Sequence, residues 1–182
     1  MGFKLKAELM DEQAIKRAVT RISFEIIERN KGIENLCLIG VRRRGAVIAK
    51  MIRNKIAEIE ERDLPLGVLD ITYYRDDIGE KKAPDVGETE IDFDITDKKI
   101  ILIDDVLFTG RTVRAAIDAL MDIGRPKSIA LAVLIDRGHR ELPFRPDFIG
   151  KNVPTSRSES VKVMVEEYDG CCKVVIGEEN DH

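Results

Sequence analysis

The chain reads as an α/β protein built on a mainly parallel open sheet flanked by helices, and three observations carry that reading. Val/Ile-rich apolar runs alternate with stretches of helical periodicity, the rhythm of strand–helix–strand units. The runs are apolar along their length rather than at every second residue, as strands covered on both faces are. A length of 182 residues with 43% hydrophobic content suits one domain with a full core, spanning 1–182.

The elements follow in order. A helix is predicted over 11–30, where Ile15, Val19, Ile22 and Ile26 fall in one narrow sector at about 100° per residue and face the core. A strand over 36–41 and a helix over 45–61 come next, then a strand over 66–74. A polar excursion over 75–97 carries Pro84, Gly79, Gly87 and many charges. It is too long for an ordinary connection and is expected to form a hairpin, a flexible flap or hood over the site. A strand over 99–103, a helix over 111–123, a strand over 128–135 and short strands toward the C-terminus complete the pattern.

The net charge is -4, which excludes a protein coated in positive charge. Its distribution is uneven: from Arg125 to Lys162 eight Lys/Arg stand against four Asp/Glu. A basic sector on an acidic protein attracts phosphates while the rest of the surface repels them. Cys37, Cys171 and Cys172 are odd in number and two are adjacent, so no disulfide framework is expected. With only His139 and His182, zinc-ligand spacing is missing. The sequence shows no leader-like segment or membrane-length apolar run, so a cytoplasmic protein with no membrane association is expected.

Residues 100–112 carry most of the chemistry. Four apolar residues end in Asp104-Asp105, and Val106-Leu107-Phe108-Thr109-Gly110-Arg111-Thr112 runs into the helix. That order is a buried strand delivering two carboxylates to the carboxyl edge of a sheet, followed by a phosphate-sized loop at a helix N-terminus. Amides of residues 109–112 and two hydroxyls can wrap a phosphate monoester. The acidic pair would repel a second phosphate unless a cation intervenes, and suits sugar hydroxyls, directly or through hydrated Mg²⁺. Ribose 5-phosphate offers that pairing. Neither a Walker A loop nor a Gly-x-Gly-x-x-Gly fingerprint is present. The bland reading, a strand end and a turn, does not explain why strand, acidic pair, Thr-Gly-x-Thr and helix occur together.

This segment resembles the phosphoribosyl pyrophosphate (PRPP) motif of type I phosphoribosyltransferases. Asp136-Arg137-Gly138-His139-Arg140-Glu141-Leu142-Pro143 and Gly150-Lys151-Asn152-Val153-Pro154-Thr155-Ser156 resemble one branch of that family, the bifunctional pyrimidine operon attenuation regulators and uracil phosphoribosyltransferases. The similarity runs from about residue 11 to 166. It implies a type I phosphoribosyltransferase-like fold, homo-oligomers, and conversion of uracil and PRPP to UMP and pyrophosphate with Mg²⁺. It also implies binding of pyrimidine-operon leader mRNA when UMP or UTP fills the site.

Arg42-Arg43-Arg44-Gly45, between a buried strand and a helix N-terminus, forms a second anion site large enough for a diphosphate. In the resembling family this loop grips pyrophosphate; Arg44-Gly45 is kept, and Arg43 stands where Thr is usual. Arg75, at the base of the flap, is placed to meet charge developing on the leaving diphosphate; a salt bridge to Asp76 or Asp77 is its plainer reading. The transfer needs charge stabilisation and exclusion of water rather than a protein nucleophile. Asp104, Asp105 and Arg75 are therefore the catalytic candidates, with Mg²⁺ travelling with PRPP and no fixed protein metal site. The resemblance implies that Arg137 packs on the base and that backbone near Val161 reads uracil; a salt bridge between Asp136 and Arg137 is the structural alternative.

Phe24 lies opposite the core stripe of the first helix, among Arg17, Thr20 and Arg21. From the helix alone a subunit contact stands ahead of an RNA-stacking platform. The resemblance shifts this toward RNA: Thr20, Arg21, Arg29, His139, Arg140, Arg145 and Lys151 match the branch's RNA-contacting positions. Phe24 stands where the resemblance leads one to expect His, so one RNA contact is expected to be altered. Rival readings are a purine phosphoribosyltransferase, an enzyme without RNA binding, and a regulator with a decayed catalytic loop.

Overall fold

The computed structural model describes residues 2–76 and 87–179. Five parallel strands form the main sheet: β2 (Leu36–Val41), β3 (Leu66–Leu69), β4 (Lys99–Leu107), β5 (Ser128–Asp136) and β6 (Phe148–Asn152), in the order β3-β2-β4-β5-β6. Helices α1 (Glu12–Asn30) and α2 (Arg44–Glu60) cover one face and α3 (Arg111–Ile123) the other. Alternation within the all-apolar strands divides the core. Ile101 and Ile103 of β4 join α1 and α2, whereas Ile100 and Leu102 join α3, because successive strand residues point to opposite faces.

The core stripe of α1 is as the wheel predicts: Ile15, Val19, Ile22 and Ile26 are all buried. Asp11 caps the helix by accepting the Ala14 amide at 2.7 Å, satisfying one of the unpaired donors of the first turn.

Two expectations are corrected, and one strand is added. The strand over 66–74 stops at Leu69, because the Asp70 carboxylate accepts the Thr72 amide at 2.8 Å and turns the chain into a 3₁₀ turn at Thr72–Tyr74. The strand over 99–103 continues to Leu107, since β5 extends the ladder through Val106↔Ile135 and Leu107↔Asp136. Asp104 and Asp105 thus lie within the strand's last residues. The N-terminal β1 (Phe3–Met10) was not anticipated. It pairs antiparallel with β8 (Lys173–Glu179), which pairs with β7 (Glu159–Met164), making a small second sheet in the order β1-β8-β7.

Of the expected flap, residues 77–86 lie outside the described residues. The returning segment is tied down by an isolated bridge, Val68↔Glu90, and by the Gly87 amide donating to Asp70 at 2.7 Å.

Two glycines set how closely α2 approaches the sheet. A Cβ on Gly40 would lie 2.6 Å from the Ala46 Cα, and one on Gly45 would lie 2.9 Å from the Ile103 carbonyl and 3.2 Å from an Asp104 carboxylate oxygen. Gly40→Ala should therefore force α2 outward and lower stability by about 1–3 kcal/mol, read as a lower denaturant midpoint at unchanged slope.

Candidate active site

The carboxyl ends of β2 and β4 and the start of α3 enclose the predicted residues. Arg43, Arg75, Asp104, Asp105, Val106 and Thr112 line one cavity of about 300 Å³. Residues 107–112 line an adjoining cavity of about 310 Å³, which shares Arg75, Asp104, Val106 and Thr112 with the first. On the other side of Asp105 a third cavity, about 440 Å³, reaches the small sheet and is bordered by Arg44 and Val161. The acidic pair, the arginine loop, the loop over residues 109–112 and the strand carrying Val161 are contiguous.

Asp104 is 7% exposed. One of its oxygens accepts the Asp105 amide at 2.9 Å, and Asp105 in turn accepts the Val106 amide at 2.9 Å. Burial, with the Asp105 charge adding to it, holds the Asp104 carboxyl well above the usual carboxylate range, and the Arg75 charge opposes this only in part.

Gly110, with φ of 93°, caps α3 in the left-handed region, which glycine enters without steric cost. Arg111 is held between two carboxylates: its Nε donates to Glu141 at 3.0 Å and its Nη1 to Asp76 at 2.9 Å. Asp76, at the root of the excursion, also pairs with Arg114 at 3.2 Å and is thus tied to α3; the alternative partner of Arg75, Asp77, lies outside the described residues.

In the diphosphate loop the Arg42–Arg43 peptide is cis. Arg42 pairs with Glu90 at 2.7 Å and Arg44 with Asp169 at 2.8 Å. Burial works to raise the Asp169 carboxyl, but hydrogen bonds from Arg44 and the Val165 amide, with the Arg44 charge, outweigh it and leave it below its usual value. Glu90, Asp169 and Glu141 escaped sequence reasoning, since nothing in their local sequence marks them as partners of distant arginines.

Arg137 is 6% exposed. Its guanidinium lies 3.9 Å from the Phe108 ring centroid and donates to the Thr155 hydroxyl and the Ser156 carbonyl. Burial pulls it below its ordinary pKa. The stacking partner present is thus Phe108, and Asp136 pairs with Arg140 at 2.6 Å rather than with Arg137.

The proposed RNA residues fall into two groups. On α1, Phe24 is 53% exposed; Arg21 donates to the Ile149 and Gly150 carbonyls of β6, and Arg29 pairs with Asp147. Thr20 donates to the Lys16 carbonyl, and Lys151 is exposed on β6. The second group follows β5. Arg140 is 22% exposed and donates to Phe144, Phe108 and Asp136, and His139 bonds the Thr155 carbonyl. Arg145 is exposed.

A parallel sheet with an acidic strand end, a glycine-capped loop at a helix N-terminus and an arginine loop has the layout of the phosphoribosyltransferase class. Residues 6–167 match the family described as "Phosphoribosyl transferase domain". The chain is 64% identical over 174 residues to "Bifunctional protein PyrR" of Acetivibrio thermocellus, covering 95% of each. It is 59% identical over 176 residues to the PyrR of Thermus thermophilus, covering 96% and 97%. Its fold superposes on a hypoxanthine-guanine phosphoribosyltransferase of Bacillus anthracis with a TM-score of 0.68 at 18% identity, covering 97% and 98%. With a hypoxanthine phosphoribosyl transferase of Trypanosoma cruzi the TM-score is 0.74 at 16% identity, covering 96% and 92%. The chain belongs to the phosphoribosyltransferase family, in its branch of bifunctional PyrR proteins.

Asp104 also sets a pH dependence. Its folded pKa is raised, so its contribution to stability is fully present below the unfolded carboxylate value and is lost as pH rises through the raised one. Asp104→Asn should therefore stabilise the protein more at pH 8 than at pH 4, measured by denaturant midpoints at each pH.

Proposed function

We propose that this chain transfers the ribose 5-phosphate of PRPP to uracil, giving UMP and pyrophosphate, and that the nucleotide-loaded protein binds pyrimidine-operon leader mRNA to promote attenuation. The observation that carries the enzyme is the buried Asp104 beside Asp105, in cavities continuous with both the phosphate loop and the diphosphate loop. The amides and hydroxyls of residues 109–112 hold the 5-phosphate. Arg43 and Arg44 hold the diphosphate, and Arg75 neutralises charge on the departing oxygen. The acidic pair accepts the ribose hydroxyls and stabilises positive charge developing at C1 as the C1–O bond breaks. The Val161 main chain faces the base, with Arg137 supporting it from its place against Phe108.

Magnesium fits this donor set as a companion of PRPP. Two adjacent carboxylates offer the oxygen donors Mg²⁺ takes but are too few to hold it without the substrate. Asp104 and Asp105 would hold it, and when bound it supplies charge neutralisation of the diphosphate. The protein works as a homo-oligomer in the cytoplasm.

For RNA, the exposed Phe24 offers a stacking surface for an unpaired base, while Thr20, Arg21, Arg29, Arg145 and Lys151 address phosphates and sugars. His139 and Arg140 belong to the same basic sector. Arg21 and Arg140 have structural duties as well, so Lys151 is the cleaner probe.

Two measurements test these assignments. Replacing Asp104 and Asp105 together by Asn should lower UMP formation by about 10²-fold or more while the fold persists; normal turnover would sink the ribose role, and turnover with hypoxanthine or guanine instead of uracil would reassign the enzyme. Leader RNA should bind more tightly with UMP than without it, unlike an unrelated hairpin. Lys151→Ala should then lower the slope of log affinity against log salt by about one.

A further inference from the structure

The segment after β5 is fastened to the phosphate loop along its length. The Arg137 amide donates to the Leu107 carbonyl at 3.1 Å, and its guanidinium stacks on Phe108. Gly138 and His139, with φ of 78° and 62°, turn the chain sharply. Arg140 then donates to the Phe108 carbonyl at 2.9 Å. The Glu141 and Leu142 amides both donate to the Thr109 carbonyl, at 2.9 and 3.0 Å, and the Glu141 carboxylate holds Arg111. Phe144 packs over Gly110 closely enough that a Cβ there would meet its ring at 3.1 Å.

The peptide units that would bind the 5-phosphate are therefore hydrogen-bonded to a segment that carries His139, Arg140 and Arg145. An element that couples two sites must touch both and be biased by both. The α1 group differs in this respect. Arg21 and Arg29 are fastened to β6 and to Asp147, and the rest of α1 is set by the core stripe.

We infer that residues 137–145 transmit nucleotide occupancy to the RNA surface, with Glu141 as the positioning residue that ties the segment to Arg111; this rests on the nucleotide and RNA assignments made above. A phosphate seated on residues 109–112 draws on the Arg111 charge and fixes the Thr109 carbonyl. Through Glu141 and the paired amides it fixes the basic segment in one arrangement. The α1 group contributes affinity that does not depend on nucleotide.

The test is a titration of leader RNA into wild type, Glu141→Gln, Glu141→Asp and Phe24→Ala, each with and without saturating UMP. Allosteric gains run from about 5-fold to 150-fold. Glu141→Gln should lose most of the wild-type gain with RNA affinity in the absence of UMP nearly unchanged, and Glu141→Asp should restore part of it. Phe24→Ala should weaken binding by the same factor in both states. In wild type, UMP should also slow hydrogen exchange at the Glu141 and Leu142 amides. A full UMP gain in Glu141→Gln, equal weakening in both states in that variant, or exchange indifferent to UMP would each overturn the inference while leaving the RNA assignment intact. A wild type that binds no leader RNA in either state would overturn both.

Discussion

A carboxylate kept out of water beside a second carboxylate is the constraint around which the rest is arranged. Asp104 lies near the end of the central strand, where a charged side chain is costly. The sequence meets that cost locally: the Asp105 amide donates to Asp104, and the Arg75 charge opposes protonation. It also meets it at a distance. Gly45 has no side chain to press on Asp104, so α2 can start against the strand and bring the arginine loop to the acidic pair. Five parallel strands provide the rigid edge that holds these groups in place, consistent with ligands of open α/β sheets lying at the carboxyl ends of the strands.

What could be read from the sequence follows from how local each signal is. The alternation of helix and strand, the core stripe of α1 and the α3 boundaries depend on nearby residues, and all were legible. The end of β3 was not, because Asp70 turns the chain by bonding the Thr72 amide, a choice that competes with an apolar run that looks like strand. The end of β4 depended on β5, a partner some thirty residues away. Strand β1 does show alternation at Phe3, Leu5, Ala7 and Leu9. Its mate is the last strand of the chain, and no local pattern announces that pairing. The same limit applies to the site. The acidic pair and the Thr-Gly-Arg-Thr loop were visible as a motif, whereas Glu141, Glu90 and Asp169 are defined only by the arginines they meet.

Arginine placement near the site follows one rule. Arg42, Arg44 and Arg111, each in a loop proposed to bind an anion, are paired with Glu90, Asp169 and Glu141 or Asp76. Partly exposed pairs of this kind contribute about 0–1 kcal/mol each, so they orient the guanidinium without anchoring it. A phosphate offers charge-assisted, often bidentate hydrogen bonds that are stronger. Exchange of carboxylate for phosphate is then favourable for a multiply charged ligand and weak for a singly charged one. In the proposed site these acids would compensate a cluster of like charges until such an anion arrives.

That rule bears on why one chain can carry an enzyme and an RNA surface without confusing them. The whole protein has a net charge of -4, while residues 125–162 hold a local excess of cations. Arg42, Arg44 and Arg111, beside the cavities, are matched by carboxylates, which would lessen the pull of that region on a long polyanion. On α1 and β6, Arg21, Arg29 and Lys151 are exposed, as is Phe24. Local charge pairing, rather than total charge, is therefore what distinguishes the two regions.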